Sequence, residues 1–378
     1  MKYIAGILIV AVLGIGLALM LAPAKNREQA WQIGSPLAKE RVKIGVLYFS
    51  APVRVISSDA YSHDAGLRAM QRALGISDSQ IIRKTNVPGS EPATMHAMLE
   101  CIMAGANIII VTSSSYMAAT EALAAGHPNV IFAVVATHGQ SSTNLTTYYG
   151  RISQAKYLGG IVAGLRTSSN KIGYVAAKGQ DNQLVTSAVN AFALGVASVN
   201  PKARVHRKVM HRWFDPNGEY WAAYDLIMRG CDVIAQYSDT PGPQIMAQQA
   251  GMWGIGYNSD MHHVAPEAVV TSVIWNWGVY YTYLVQSVID GSFTAKPYLG
   301  DLGDGMVGLA PFNEPLLPAG AAEAVAVARE KIVSGQFGVF EGLLKTNDGQ
   351  LVGVEGRWPD VEIVRNMRWY YHNVVEVE

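Results

Sequence analysis

The chain of 378 residues concentrates its chemically capable side chains in four short polar stretches, each following an apolar run. They are Thr112-Ser113-Ser114-Ser115-Tyr116, Thr137-His138-Gly139, Tyr237-Ser238-Asp239-Thr240-Pro241 and Asn258-Ser259-Asp260. Hydroxyls, amides and carboxylates in such loops are equipped to hold a small polar solute by hydrogen bonds. For any one of these residues, ordinary turn or helix-cap chemistry is the favoured explanation. The set gains weight because it recurs in matching places. Asp239 stands out because a carboxylate at a strand end can accept two hydrogen bonds from the N–H or O–H groups of a neutral ligand. Capping the following helix is the competing role, and position alone leaves both open. Trp275-Asn276-Trp277 follows the apolar run 269–274, and its rings could stack on a planar ligand or fill the core.

Bond-breaking chemistry has less support. The chain carries no GxxxxGK[ST] phosphate loop, no GxSxG elbow and no HExxH pair. His262 and His263 are adjacent and lack the i, i+4 spacing that would bring both to one metal. Gly159-Gly160 with Ala163-Gly164 is a small-residue helix face suited to close helix packing. Cys101 and Cys231 lie outside any CxxC or Cys/His spacing and read as buried thiols in different halves of the chain, so no disulfide is expected. No residue set asks for a hydrolase or a cofactor. The 29 basic and 29 acidic side chains balance, which leaves no field for nucleic acid.

These loops must be positioned by something, and the sequence shows what. Arg41-Val42-Lys43-Ile44-Gly45-Val46-Leu47-Tyr48 is echoed by Lys171-Ile172-Gly173-Tyr174-Val175-Ala176, an offset of 128 between Lys43 and Lys171. Ile102-Met103-Ala104-Gly105-Ala106-Asn107-Ile108-Ile109 is echoed by Ile227-Met228-Arg229-Gly230-Cys231-Asp232-Val233-Ile234, an offset of 125. In both, a helix ends at a glycine and a buried strand follows at once. Helical periods over 65–74 and 185–199, with third strands at 129–136 and 252–257, complete a β-α-β-α-β pattern in each half. The expectation is an α/β protein of two Rossmann-like lobes with parallel sheets and a central cleft, with ligands beyond the carboxyl ends of the strands. The first lobe is expected over 41–148 plus about 275–300 and the second over 149–272. Segment 301–378 is left unassigned, apart from a hairpin at Asn347-Asp348-Gly349.

The N-terminal run 4–21, closed by Ala22-Pro23-Ala24, makes 1–24 a signal peptide or a membrane anchor. The body is therefore expected to be exported, either periplasmic or tethered to the outer face of the cytoplasmic membrane. No cysteine follows the run, which argues against lipoprotein attachment.

Several strings resemble one family: Tyr61-Ser62-His63-Asp64-Ala65-Gly66, Asn190-Ala191-Phe192, Trp213-Phe214-Asp215-Pro216, Ser238-Asp239-Thr240-Pro241, Gly256-Tyr257-Asn258-Ser259-Asp260, Trp275-Asn276-Trp277-Gly278 and Leu309-Ala310-Pro311-Phe312-Asn313. They are similar to the BMP (basic membrane protein) family of substrate-binding proteins of ABC importers, with the type I periplasmic-binding fold. The resemblance implies an ABC permease in the inner membrane as partner, and a nucleoside, purine base or related small polar ligand. Carried over by position, it implies ligand contacts from Asp239, Asn190, Tyr257, Asn258, Asp260, Trp275, Tyr61 and His63. Two positions depart from it. Asp59 stands where relatives often have Trp, and Ser114, beside Ser113, where they often have Phe. Each change removes a stacking face worth on the order of 1 kcal/mol, which opens the site to a more hydroxylated ligand. The alternative use of the same fold is a membrane-tethered ligand sensor.

Overall fold

The computed structural model describes residues 31–52, 58–137, 139, 142–353 and 366–378. The N-terminal run 1–24 and His138 lie outside the described residues.

Two mostly parallel sheets form the two lobes. In the first, β1 (Ile44–Leu47), β2 (Ile81–Lys84), β3 (Ile108–Val111), β4 (Ile131–Val135) and β5 (Leu145–Gly150) lie in the order β2-β1-β3-β4-β5. In the second, β6 (Lys171–Ala176), β7 (Arg204–Val209), β8 (Val233–Tyr237), β9 (Trp253–Asn258) and β10 (Val269–Trp275) repeat it as β7-β6-β8-β9-β10. The repeated apolar strings thus occupy equivalent strands. Gly105 and Gly230 end the helices before β3 and β8, and both have φ +91°. A left-handed turn at that point is open to glycine at little cost, which is why the same residue recurs.

The first lobe carries α1 (Asp59–Leu74), α2 (Glu91–Met103) and α3 (Met117–Gly126). The second carries α4 (Ile152–Arg166), α5 (Gln183–Val199), α6 (Pro216–Met228) and α7 (Gly242–Gln249). The helix at 65–74 inferred from periodicity begins six residues earlier, because Ser58 caps it by accepting from Tyr61 N. α4 and α5 touch backbone to backbone. A Cβ on Gly160 would lie 2.1 Å from Phe192 O, and one on Gly195 would lie 2.0 Å from Tyr157 O. The small-residue face of α4 is therefore a packing face.

Three segments pass between the sheets: Gly150 to α4, Trp275 to α8 (Trp277–Asp290), and β11 (Tyr298–Gly300) to β12 (Val307–Leu309). α8 packs on α1, and β11 pairs with β5. β12 pairs antiparallel with β10. The crossings are bound to one another by Arg151 N to Gly300 O (2.8 Å) and Asn276 N to Met306 O (2.8 Å). Gly150 is needed where they meet, since a Cβ there would fall 2.8 Å from both Trp275 and Val307 side chains. α9 (Ala321–Val333) packs on α4, and β15 (Val374–Val377) adds to the far edge of the second sheet beside β7. The C-terminal segment thus contributes strands and a helix to the second lobe, except for the small hairpin of β13 (Leu344–Lys345) and β14 (Leu351–Val352) around Asn347-Asp348-Gly349. Cys101 and Cys231 are buried, free and in separate lobes.

Candidate functional site

The carboxyl ends of both sheets face a space between the lobes, and the strand topology brings the polar loops there. On the second lobe the loop after β8 is held by a buried network. Glu219 of α6 accepts from Thr240 N (3.2 Å) and Thr240 Oγ1 (2.7 Å), while Asp215 and Glu219 cap the start of α6. Gln236 Nε2 donates to the carbonyls of Ser238 and Thr240. Thr240 Oγ1, not Asp239, accepts from Gly242 N at the start of α7. Asp239 is thereby relieved of the capping role that position alone allowed it. Its carboxylate accepts instead from Asn258 Nδ2 at 3.0 Å. Asn258 itself holds a left-handed backbone, φ +73°.

Beneath this loop lies a tyrosine floor that the sequence did not suggest. The Tyr237 and Tyr257 rings meet edge to face at 4.6 Å, and Trp275 Nε1 donates to Tyr257 Oη at 2.9 Å. Tyr149 of the first lobe meets Trp275 edge to face at 5.2 Å, so the first lobe adjoins the floor. Under it sits the buried amine of Lys156, 4.1 Å from the Tyr257 ring centre and 4.7 Å from that of Tyr237. Its hydrogen bond goes to Gln236 O at 2.7 Å. Burial drives this amine well below the ordinary lysine range. The signal in the sequence was a lone lysine on the otherwise small and apolar face of α4.

On the first lobe, Asp59 opens α1 and keeps 46% of its side chain exposed toward the cleft. Partial loss of solvent around the carboxyl raises it above the ordinary carboxylate range, toward about 7, and the exposed half of the side chain limits how far that shift can count in stability. Asp239 is raised well above the carboxylate range, first by burial and then by the charges of Asp59 and Glu219, with the Asn258 hydrogen bond opposing. Ser113 and Ser115 bond to each other through their hydroxyls at 2.8 Å, and Ser114 is exposed beside them. Phe49, at the carboxyl end of β1, is 60% exposed. Trp213, whose carbonyl accepts from Asp239 N at 2.9 Å, is partly exposed, and Phe214 beside it is exposed. These rings lie in strand-end loops, and Trp213 meets the Tyr237 ring edge to face at 5.7 Å. Neither Phe49 nor Trp213 had been singled out, since an aromatic after a strand is usually core.

The other expected residues fall elsewhere. Asn190 is fully buried in α5 and its amide is committed to the C-terminal segment, donating to Trp369 O and accepting from Tyr371 N, each at 2.8 Å. Its side chain ties α5 to the C-terminal segment. His63 is 1% exposed, stacked 4.1 Å from Trp277, with Nδ1 2.6 Å from Tyr281 Oη. It supports Asp59 from below rather than facing a solute. Trp275 lies parallel to Trp277 at 4.6 Å, so both tryptophans belong to the column at the crossing. Tyr61 is half-buried on α1. Asp260 is exposed, accepts from His262 N, and borders a groove of about 560 Å³ with Asn258, Trp275 and the small residues Ala65, Gly66 and Ala69 of α1. Among the described residues no cluster of three or more His, Cys, Asp or Glu could hold a metal, and no helix is long and apolar enough to cross a membrane.

Two similar sheet-containing lobes, three crossings and a polar cleft define a binding protein for a small solute. The family model for PnrA-like ABC transporter substrate-binding proteins (Bmp) matches residues 56–336, and the chain belongs to that family. A purine-binding protein of Brucella abortus is 28% identical over 341 residues, covering 90% of this chain and 95% of its own. A putative ABC transporter glucose-binding protein of Haloferax volcanii is 34% identical over 263 residues, 67% of this chain and 66% of its own. The fold matches an ABC transporter solute-binding protein of Conexibacter woesei with TM-score 0.66 at 17% identity, covering 79% of this chain and 98% of the other. The family implies a small-molecule ligand and a permease partner.

Proposed function

We propose that this protein is the extracytoplasmic receptor of an ABC importer. It holds a nucleoside, purine base or related small polar solute between Asp59 and Ser113–Ser114 of the first lobe and Asp239, Tyr257 and Asn258 of the second. It acts by capture and release, not catalysis. The observation that carries the reading is the Asp239 carboxylate, freed from capping and oriented by Asn258 over the Tyr237–Tyr257 floor. The purine-binding relative supports the ring, and the glucose-binding one fits the hydroxyl-bearing first wall. Phe49, Trp213 and Phe214 supply aromatic faces at the rim.

Calorimetry and thermal shift against purine bases, nucleosides and simple sugars test this. A saturable purine or nucleoside that raises the melting temperature is the expected result, because a ligand bound only to the folded state stabilises it by mass action. A shift with glucose alone would move the ligand class to sugars. The tethered-sensor alternative differs in the N-terminal run, and sequencing the mature N terminus separates them: Lys25 first for a released receptor, Met1 retained for a tether.

A further inference from the structure

The inner side of α6 buries Glu219, Ala222, Ala223 and Leu226 in the second lobe, so its outer side faces water and would ordinarily be polar. It carries Trp221, Tyr224 and Met228 instead, which are 60%, 42% and 66% exposed. Spacings of three and four residues set them in one row along the helix. Trp221 meets Tyr220 edge to face at 5.3 Å and Tyr224 at 5.4 Å, so the rings hold one another in place. The charges beside them are paired locally, with Asp225 accepting from Lys208 at 2.8 Å and from Arg229 at 3.1 Å. The row is a neutral aromatic surface. We propose that it is the surface by which the importer's membrane subunit takes hold of this receptor, an inference that rests on the importer reading above.

The fold itself does not require the row. In the first lobe the equivalent helix, α2, ends on Met103 as α6 ends on Met228, but it has His96 and Leu99 where α6 has Trp221 and Tyr224. His96 lies 3.5 Å from Glu100, an ordinary pairing on an exposed helix. The size of the row fits a partner that docks and leaves. Trp221, Tyr224 and Met228 leave on the order of 400 Å² open, about half of the roughly 800 Å² that each chain gives to a stable interface. Two copies joined through the row alone fall short of a lasting dimer, whereas an importer must release its receptor after each delivery. Tryptophan and tyrosine concentrate binding energy in a small contact, which suits brief docking. An anionic membrane surface calls for unpaired basic residues, and Lys208 and Arg229 are already engaged by Asp225.

The same helix is fastened to the cleft. Glu219, on the turn that carries Trp221, accepts from Thr240 N and Oγ1, and just ahead of the helix Trp213 O accepts from Asp239 N. A membrane subunit that grips the outer side of α6 therefore holds the second wall of the cleft, and the first wall is free to swing away and release the solute.

Photo-crosslinking tests the surface in the full chain, with Trp221→p-benzoylphenylalanine and the product identified by mass spectrometry. A cross-link to the transmembrane subunit of an ABC importer is expected. A cross-link to a second receptor, to the chain's own N-terminal run or to lipid overturns the proposal, as does none at all. The second arm titrates receptor against ATP hydrolysis by the importer's membrane and ATPase subunits in nanodiscs. Trp221→Ala and Tyr224→Ala are each expected to raise the receptor concentration for half-maximal stimulation at least about tenfold, with an unchanged melting temperature. Trp221→Phe should recover most of that loss, and His96→Ala on the equivalent helix should stay within about twofold of wild type. Stimulation by Trp221→Ala equal to wild type overturns the docking surface and leaves the importer reading intact. No stimulation by the wild type removes the importer reading, and the surface falls with it.

Discussion

The two walls of the cleft come from equivalent parts of a duplicated unit, yet they are built differently. The second wall is fastened by buried side chains: Glu219 and Gln236 hold the 238–240 loop, and Asn258 orients Asp239. The first wall has Asp59 at a helix start, a serine loop bonded mainly to itself, and an exposed Phe49. One wall is preorganised and the other adaptable. The lesson is that a repeated backbone fixes where loops lie, while buried polar partners decide how firmly a loop is held.

Glu219→Ala should have the largest effect, because it orphans the buried donors of Thr240 and the Asp215 N–H together. A loss of about 3 kcal/mol in unfolding free energy is expected, with ligand binding abolished; denaturant titration measures it. The matching change on the first wall, Ser113→Ala, should cost less than about 1 kcal/mol, and equal costs would erase the contrast.

Asp59 gives a pH test. Its folded-state value of about 7 lies above that of an unfolded aspartate, so the stability it contributes is complete below about pH 4 and is lost as pH rises through about 7. The melting temperature of the wild type should fall over that window, and Asp59→Asn should fall less. The side chain is half exposed, so solvent screening limits the difference to roughly a few degrees. Identical slopes would show that Asp239 and Glu219 carry the whole linkage.

Phe49→Ala should weaken ligand binding about fivefold, near 1 kcal/mol, without moving the melting temperature, because an exposed ring contributes little to folding. Trp213→Ala, on the other wall, should lower both. Ser58→Ala is the gentlest change. Removing the cap of α1 should cost about 1 kcal/mol and loosen Asp59, read as a small rise in Kd with a lower melting temperature.

Much of this was legible in the chain itself. The echoes at offsets 128 and 125 marked equivalent strands because buried parallel strands need continuous apolar runs and their helices need a glycine to turn. The run 269–274 and the crossing at Trp275 were likewise visible, as was the hairpin at Asn347-Asp348-Gly349. The partners of Asn190 were not legible because a residue's position in a motif does not show which backbone will reach it: the 369–371 segment arrives from about 180 positions away. His63 looked like a ligand group and became a pillar, since the stack with Trp277 forms only when α1 meets α8. Lys156 was overlooked because its mark in the sequence, a lone lysine on a small and apolar helix face, does not show that the amine ends up buried under two tyrosine rings.

The sequence by itself determined the two-lobed α/β architecture and the polar loops that follow its strands. Period and glycine placement are local properties, and the covalent chain carries them wherever it folds. Only the tertiary structure decided which polar groups stay available to a solute. Availability depends on partners outside the local pattern, as when Thr240 takes the helix cap from Asp239 and Asn258, from the next strand, orients the Asp239 carboxylate.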